Sequence, residues 1–316
     1  MTTLITGGGL VGARAVEQVL ERGDDVVLYD LAPNRALLGA AAERITIARG
    51  DVLQLPELLA AVQRYRPQRI LHTAGLLTPD GQERPYTTIQ VNLVGTANVL
   101  EAARLKDVSR VVLCSSGTVY DAAAPTDGPV LDEEHPTRPS SVYSATKLAA
   151  EHVGLGYAGL FGFQFLVVRF AAVYGPAFAP GGGISRVVHD ALLAALRTGK
   201  ASVRRRWVGK QELVYARDAA AGLVAAGFAE NPPHTVYNIG SGEGSSAEDV
   251  AALVAEYTGA EVQIVEPQGL AESNPRARLE AVFDQSRARA EIGYAPTYDL
   301  KRGMRDLATW MREHLV

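Results

Sequence analysis

Short apolar runs alternate with segments of helical period along the first half of the chain. Each run is three to five residues long and rich in valine, isoleucine or leucine, which is typical of strands covered on both faces. The predicted strands are Thr3–Ile5, Val26–Tyr29, Ile45–Ala48, Ile70–Thr73, Val111–Cys114 and Phe165–Arg169. The predicted helices between them are Gly12–Arg22, Leu55–Arg64, Thr88–Leu105 and Ser144–Leu160. This alternation predicts an α/β fold with a doubly wound parallel sheet.

The pattern changes after residue 175. A glycine-rich loop at 180–183 precedes a predicted helix, Ile184–Thr198, and a basic strand, Ser202–Val208, and shorter elements follow. We therefore expect residues 1–175 to form a first domain, with a returning segment near 236–258. Residues 176–316 are expected to form mainly a smaller α/β substrate-binding lobe at the carboxyl edge of the sheet.

A glycine-rich turn follows the first predicted strand and precedes a helix. Its glycines fit the spacing G-x-G-x-x-G, which permits a tight turn, close approach of the backbone to a pyrophosphate and close packing of helix on strand. In that position the pattern predicts a dinucleotide-binding turn of Rossmann type. The turn residues expected to contact the cofactor are Gly7, Gly9, Leu10, Val11 and Gly12.

An acidic residue, Asp30, ends the second predicted strand. A carboxylate at this place accepts hydrogen bonds from the adenosine ribose and repels a 2′-phosphate. The sequence therefore predicts NAD as the cofactor. Arg35 lies close enough along the chain to leave tolerance of NADP open.

Composition excludes several classes of partner. The 316 residues carry a net charge of −4, so there is no basic footprint for nucleic acid or an acidic membrane. A single cysteine, Cys114, excludes an intrachain disulfide framework and a cysteine-based zinc cluster. We expect a cytoplasmic protein without a metal site.

Several further motifs occur in order along nearly the whole chain. They are Gly50–Val52, Leu71–Gly75, Val91–Thr96, Cys114–Tyr120, Tyr143–Lys147, Val168–Arg169, Val173–Pro176, Tyr237–Gly242 and Glu291–Tyr294. With these motifs the chain resembles the extended short-chain dehydrogenase/reductase family, in its NAD-dependent epimerase/dehydratase group, and is similar to the UDP-glucose and UDP-galactose 4-epimerases. The resemblance implies that Asp51 and Val52 hold the adenine and that Ala74 and Asn92 flank the cofactor. It also implies a homodimer.

The glycine turn departs from the family pattern. The usual spacing is G-x-x-G-x-x-G, but Thr6 stands three residues before Gly9. The turn is therefore one residue shorter than usual. We expect NAD to bind, with its pyrophosphate held somewhat differently.

Tyr143 and Lys147 are four residues apart, so on a helix they share one face. A neighbouring ammonium, together with the positive nicotinamide ring, favours the phenolate and lowers the tyrosine pKa. Ser116 can hydrogen-bond the same substrate oxygen. We expect Tyr143 to remove the hydroxyl proton as hydride leaves carbon, and the resemblance implies that Lys147 also anchors the nicotinamide ribose. The alternative is an ordinary pair on a helix surface.

Other departures bear on the reaction and the substrate. The family's dehydratases carry an Asp-Glu pair where this chain has Gly117 and Thr118, so dehydration is not expected. Ala172 replaces a substrate-binding asparagine, and Gln211 replaces an arginine that grips a diphosphate, which is not a conservative change. These losses favour a sugar or sugar-like acid that is not a nucleotide sugar.

Clustered arginines argue in the other direction. Arg204 and Arg206 share a face of the predicted basic strand, and Arg276 and Arg278 lie where family members often hold a phosphate. The alternative for the first pair is a solvated sheet edge. The residues expected to contact substrate are Thr118, Arg206, Gln211 and Arg278.

The sequence therefore predicts an NAD-dependent oxidoreductase that acts on a secondary alcohol, with either a dehydrogenase or an epimerase as the net reaction. A UDP-sugar 4-epimerase proper and a non-catalytic NAD-binding sensor or scaffold remain as alternatives. A dimer would pack the helices Thr88–Leu105 and Ser144–Leu160 through small residues, although packing inside one chain would use the same ones. These small residues are Ala97, Ala102, Ala149, Ala150 and Gly154.

Overall fold

The computed structural model describes residues 1–120, 130–177, 183–205, 207, 209–266 and 282–316. Its strands are β1 (Thr2–Thr6), β2 (Asp25–Asp30), β3 (Thr46–Arg49), β4 (Arg69–His72), β5 (Arg110–Ser116), β6 (Val130–Leu131), β7 (Gln164–Phe170), β8 (Ala172–Tyr174), β9 (Lys200–Arg204), β10 (Gln211–Tyr215), β11 (Val236–Ile239), β12 (Gly244–Ser245), β13 (Glu261–Val265) and β14 (Val282–Phe283). Its helices are α1 (Leu10–Glu21), α2 (Arg35–Leu38), α3 (Leu55–Tyr65), α4 (Thr78–Glu83), α5 (Pro85–Ile89), α6 (Gly95–Leu105), α7 (Val142–Phe161), α8 (Gly183–Thr198), α9 (Ala216–Phe228), α10 (Ala247–Thr258), α11 (Ser286–Ile292) and α12 (Leu300–His314).

Seven of the described strands form one parallel sheet in the order β11-β7-β5-β4-β1-β2-β3. The chain runs outward from β1 to β3 and then returns to β4 on the other side of β1. The order therefore reverses between β1 and β4, and ligands of doubly wound sheets bind outside the carboxyl ends of the strands at such a reversal. The predicted doubly wound parallel sheet is confirmed.

Helices cover both faces of this sheet because neighbouring residues of each strand point to opposite sides. Ile5 and Val112 belong to a core shared with α1 and α9. Leu4 and Val111 belong to a second core, shared with α3, α6 and α7. The six strands predicted in the first half differ from the observed ones by one or two residues at their ends, whereas the basic strand predicted at Ser202–Val208 is observed as β9, Lys200–Arg204.

The second half of the chain builds a smaller lobe and also returns to the central sheet. Strands β12, β10 and β8 form one small sheet, and β13 pairs with β9 in another. A separate core joins α8, α10 and α12 around the buried Trp207. Strand β11 pairs with β7 at the edge of the central sheet, and α9 packs in the core with α1. The division into domains near residue 175 stays a prediction.

A buried glutamate, Glu212, ties the small sheet to two segments near the carboxyl edge of the central sheet. Its carboxylate accepts hydrogen bonds from the backbone N–H of Gly242 at 2.6 Å and of Phe283 at 2.8 Å, and from Gln285 Nε2 at 3.2 Å. The Phe283 ring lies where a side chain at Gly117 would begin. Glu212 therefore fixes a ring that packs directly beside the end of β5.

The ionisation of Glu212 should be visible in the pH dependence of stability. Burial outweighs the N–H donors around the carboxylate and raises the pKa of Glu212 from 4.5 to about 7. A raised pKa in the folded state gives stability that is fully present below pH 4.5 and lost as the pH rises through 7, by up to about 1.4 kcal/mol per pH unit. Glu212→Gln should remove this decline.

The measurement is urea unfolding of both proteins at about pH 5 and about pH 8. The free energy of unfolding of the wild type should fall more than that of Glu212→Gln. Glu243→Gln removes a negative charge from an exposed glutamate of the neighbouring loop and serves as the control. Parallel pH profiles of wild type and Glu212→Gln would contradict the prediction.

Candidate active site

The glycine turn after β1 closes only because two of its residues lack side chains. Gly7 has a φ of 87°, and a Cβ there would lie 2.7 Å from the Cα of Ala74. A Cβ at Gly12 would overlap the carbonyl oxygen of Gly7. The Thr73 hydroxyl donates to the carbonyl oxygens of Thr6, at 2.8 Å, and Gly7, at 2.6 Å. The shortened turn is thus tied to the loop after β4.

Gly9 and the start of α1 leave room for an anion. Gly9 is the N-terminal cap of α1, makes no side-chain cap and has no atom within 4 Å of where a Cβ would be. The backbone N–H groups of the first helical turn, which begins with Leu10 and Val11, have no partner within the helix. A helix N-terminus of this kind binds phosphate. The residues present therefore fit the pyrophosphate of a dinucleotide.

Asp30 lies at the end of β2, beside this turn. Its carboxylate accepts from Gly8 N at 2.6 Å and from Ala32 N at 2.7 Å. Arg35 pairs with Glu43 at 2.5 Å. A negative charge is therefore fixed where the adenosine ribose is expected, and the arginine that could attract a 2′-phosphate is held by a carboxylate of its own.

The two residues expected at the adenine follow β3. Asp51 Oδ1 accepts from the backbone of Leu53 at 2.9 Å, and Val52 is buried with its carbonyl bonded to Asn98 Nδ2 at 2.9 Å. They lie on the β3 side of β1, at the same edge of the sheet as Asp30. Their contact with adenine stays a prediction.

Asn92 occupies a π-helical turn, Gln90–Val94, between α5 and α6. The helical segment predicted over Thr88–Leu105 is observed as an uninterrupted run of α5, this π turn and α6, and the sequence did not predict the π turn. The wider turn carries the Asn92 amide to Leu76, whose N–H donates to Oδ1 at 2.7 Å and whose carbonyl accepts from Nδ2 at 3.0 Å. Nδ2 also donates to Thr146 Oγ1 at 3.1 Å. Such π turns are frequent at functional sites, and this one joins the loop after β4 to α7.

Ser116, Tyr143 and Lys147 come together at the carboxyl end of β5. Their exposed fractions are 9%, 8% and 7%. Ser116 ends β5, while α7 starts behind a capping box at Ser141 and brings the tyrosine and lysine to the strand. Lys147 Nζ donates to the carbonyl of Cys114 at 2.8 Å and lies 5.9 Å from the centre of the Tyr143 ring. The predicted surface-pair alternative is therefore not supported, because all three side chains are buried.

The Ser116 hydroxyl is oriented by Thr118. Ser116 Oγ accepts from Thr118 N at 3.2 Å and from Thr118 Oγ1 at 3.0 Å. A serine hydroxyl has two lone pairs and one proton, so these bonds direct the proton elsewhere. Ser116 also hydrogen-bonds the Tyr143 phenol. Contact of Thr118 with substrate stays a prediction, whereas its bond to Ser116 was not foreseen.

Burial governs the ionisation of the site. It raises the pKa of Tyr143 to about 12, and the hydrogen bond from Ser116 opposes this only in part. Burial also lowers the pKa of Lys147. The expected lowering of the tyrosine pKa by the ammonium is therefore not seen among these residues. Tyr143 needs a further positive charge to act as a base near neutral pH.

Only part of the predicted substrate-binding set can be placed. Gln211 begins β10 and is partly buried, paired in register with Ser245, while Arg206, Arg276 and Arg278 lie outside the described residues. Arg205 is held by Glu248 and, at 2.6 Å, by Glu266, which fits a solvated sheet edge.

The described residues also bear on the single cysteine, on metal binding and on membrane spans. Burial raises the pKa of the free Cys114 thiol to about 12, which fits a structural role. No three His, Cys, Asp or Glu side chains in the described segments are grouped to hold a metal ion. No helix in those segments has the length and apolar character needed to cross a bilayer.

Known proteins resemble this chain over almost its whole length. The sequence model of the NAD dependent epimerase/dehydratase family matches residues 3–240. A UDP-glucose 4-epimerase of Mycolicibacterium smegmatis is 31% identical, with 99% of each chain covered. A dTDP-glucose 4,6-dehydratase of Streptomyces antibioticus is 27% identical over 99% of this chain and 93% of its own.

A solved structure shares the fold. It is the Thermus thermophilus UDP-glucose 4-epimerase in complex with NAD, with a TM-score of 0.83, 28% identity and full coverage of both chains. The predicted family resemblance and NAD as cofactor are confirmed by these comparisons.

Two glycine substitutions separate folding from cofactor binding. Gly12→Ala should lower the melting temperature because its Cβ overlaps the backbone of the turn. Gly9→Ala should fold normally, since its φ of −73° suits alanine and the space around it is open. We expect Gly9→Ala to bind NAD about tenfold or more weakly, because a methyl group then stands where the pyrophosphate approaches.

Isothermal titration with NAD measures the affinity, and thermal unfolding without nucleotide measures the stability. Gly156→Ala, on the exposed side of α7 and with open space around it, is the control for the general effect of losing a glycine. Unchanged affinity in a folded Gly9→Ala variant would contradict the proposed place of the pyrophosphate.

Proposed function

The chain belongs to the NAD-dependent epimerase/dehydratase family, and on this premise we propose that Tyr143 is the base in hydride transfer at a secondary alcohol of a sugar or sugar-like acid. The observation that carries the proposal is the convergence of Ser116, Tyr143 and Lys147, all at most 9% exposed, at the carboxyl end of β5. This end of β5 lies on the same edge of the parallel sheet as the turn that fits a pyrophosphate.

Tyr143, Ser116 and Lys147 each have a separate role in the proposed reaction. A bound NAD would supply the hydride acceptor for the alcohol carbon and a positive charge beside these side chains. The Tyr143 phenolate oxygen takes the proton of the hydroxyl group, so that the C–O bond becomes a carbonyl. Thr118 occupies both lone pairs of Ser116 Oγ, so Ser116 can turn its single proton from the Tyr143 phenol to the substrate oxygen when substrate is bound. Lys147 uses one of its three donors on Cys114 O and offers the others to the nicotinamide ribose.

The two residues that follow Ser116 bear on the net reaction. Gly117 and Thr118 supply no carboxylate at the places where the family's dehydratases carry an acid pair. We therefore propose a dehydrogenase, which releases the reduced cofactor, or an epimerase, which returns hydride to the opposite face. The presence of Tyr143 and Lys147 together beside Ser116 argues against a non-catalytic sensor.

Two substrate classes compete for this site. Gln211 in place of arginine and Ala172 in place of asparagine favour a sugar or sugar acid without a nucleotide. A UDP-sugar 4-epimerase is the second candidate, because the full-length relatives include enzymes named for UDP-glucose. The NAD-loaded enzyme is mixed with a substrate of each class, and the class that reacts identifies the substrate. Reduced cofactor in the product mixture then indicates a dehydrogenase, and the epimer of the substrate indicates an epimerase.

We also propose a cytoplasmic homodimer. Ala102, Ala150 and Gly154 are buried within the chain, where Phe165 fills the space beside Gly154, so these small residues serve internal packing. Exposed apolar side chains instead lie at the ends of α6 and α7. They are Leu105 at 45%, Leu160 at 77% and Phe161 at 49% exposure. Their position supports pairing through these two helices.

The catalytic proposal is tested by Tyr143→Phe. Deleting the hydroxyl should reduce kcat by at least about a hundredfold, because general-base catalysis is lost. NAD affinity should change little, since the ring and its packing remain. Tyr157→Phe removes a hydroxyl further along the same helix and should keep wild-type turnover. A Tyr143→Phe enzyme as active as Tyr157→Phe would contradict the role of Tyr143.

A further inference from the structure

A buried carboxylate, Glu151, lies directly behind the candidate catalytic residues. It sits on α7, one turn after Lys147 and two turns after Tyr143, with only 2% of its surface exposed. Residues spaced by four share one face of a helix. The catalytic pair and this carboxylate therefore form a single row along α7, on the side that faces the sheet.

Glu151 joins α7 to two neighbouring strands. Its Oε1 accepts from the hydroxyl of Ser115 on β5, and its Oε2 accepts from Arg169 Nη2 on β7 at 2.7 Å. Arg169 Nε lies 3.2 and 3.3 Å from the two carboxylate oxygens. Ser115 and Arg169 are paired in register across the two strands. The carboxylate thus bridges one rung of the sheet, and that rung is next to Ser116.

Arg169, the positive partner of Glu151, makes further contacts. Arg169 Nη1 donates to the carbonyl of Glu133 at 3.3 Å, and its guanidinium lies 4.8 Å from the centre of the Tyr120 ring. Buried ion pairs are strongly disrupted by loss of one partner, because the other charge is left uncompensated. The bridge therefore holds α7 firmly in one register on β5.

The charge of Glu151 also interacts with the side-chain amine of Lys147. Besides Glu151, the ionisable groups that interact with Lys147 are Tyr143 on α7, Cys114 on β5 and His72 on β4. Burial lowers the pKa of Lys147, whereas a negative charge on Cys114 or on Glu151 raises it. Because burial keeps the Cys114 thiol and His72 uncharged near neutral pH, Glu151 is the negative charge that favours a protonated Lys147.

We propose that Glu151 is a positioning residue for hydride transfer, which sets the register of α7 on β5 through Ser115 and Arg169 and holds Lys147 as an ammonium beside Tyr143. The proposal depends on the proposed function for its meaning in catalysis. Its electrostatic part can be measured on the protein without substrate.

The test is the titration of Lys147 by NMR of lysine labelled at the side chain, assigned with the spectrum of Lys147→Met. In Glu151→Gln the Lys147 pKa should fall by about one pH unit, since a nearby opposite charge is lost. Glu151→Gln leaves Arg169 unpaired and can fail to fold. The double variant Glu151→Gln/Arg169→Met removes both charges, should restore stability and should keep the lowered Lys147 pKa.

A matched control exists at the opposite edge of the same sheet. There Asp24 bridges the hydroxyl of Thr3 on β1, at 3.1 Å, and the guanidinium of Arg69 on β4. Thr3 and Arg69 are also paired in register. Asp24→Asn should lower the melting temperature as Glu151→Gln does, but leave the Lys147 titration unchanged.

Activity supplies the second readout. In Glu151→Gln and in the double variant, kcat should drop at least tenfold and its alkaline limb should move to lower pH, while NAD affinity at neutral pH changes less than threefold. An unchanged Lys147 titration in a folded variant lacking Glu151 would overturn the proposal. If the wild type itself turned over no sugar alcohol while the Lys147 titration shifted as expected, the proposed function would fail and the role of Glu151 beside Lys147 would stand.

Discussion

The packing of α7 on β5 is the constraint on which the rest of the site depends. Ser116 comes from the strand and Tyr143 and Lys147 come from the helix, so their mutual geometry is only as fixed as this contact. Lys147 reaches across it to the carbonyl of Cys114, and Glu151 reaches across it to Ser115. A shift of the helix by one residue would turn both side chains away from the strand. The fold therefore secures this contact with buried polar bonds in addition to apolar packing.

Burial creates the second constraint, because it opposes the ionisation that the chemistry needs. The Tyr143 phenol is held neutral by its surroundings, and the ammonium of Lys147 is disfavoured by the same surroundings. Under the proposed mechanism, Tyr143 would therefore become a base only when a bound cofactor adds positive charge beside it.

Much of the fold follows from local sequence patterns. Short apolar runs alternating with helical periods give the strands and helices, because strands buried on both faces must be apolar throughout. The glycine turn could be recognised because Gly7 and Gly12 have steric reasons to lack a side chain. The Tyr143–Lys147 pair was visible because its spacing equals one helical turn.

What the sequence could not supply depends on contacts between distant segments. The Asn92 side chain in the π turn forms hydrogen bonds to Leu76 and Thr146, and no local pattern in the helical sequence predicts such a turn. The bond from Thr118 to Ser116 depends on the turn after β5. Glu151 has an ordinary place in an amphipathic helix, and only the register of β5 against β7 shows that it bridges Ser115 and Arg169. The pKa of Tyr143 is set by burial, which the spacing of residues does not reveal.

The central claim is that Tyr143 becomes a base only when its buried phenol gains positive charge from the bound cofactor beside Lys147. The most direct test is the ionisation of Tyr143, measured by ultraviolet difference spectroscopy between wild type and Tyr143→Phe, with and without saturating NAD. The account predicts a pKa near 12 without nucleotide and a value lower by several pH units with NAD bound. A Tyr143 pKa that stays near 12 in the NAD complex would contradict it.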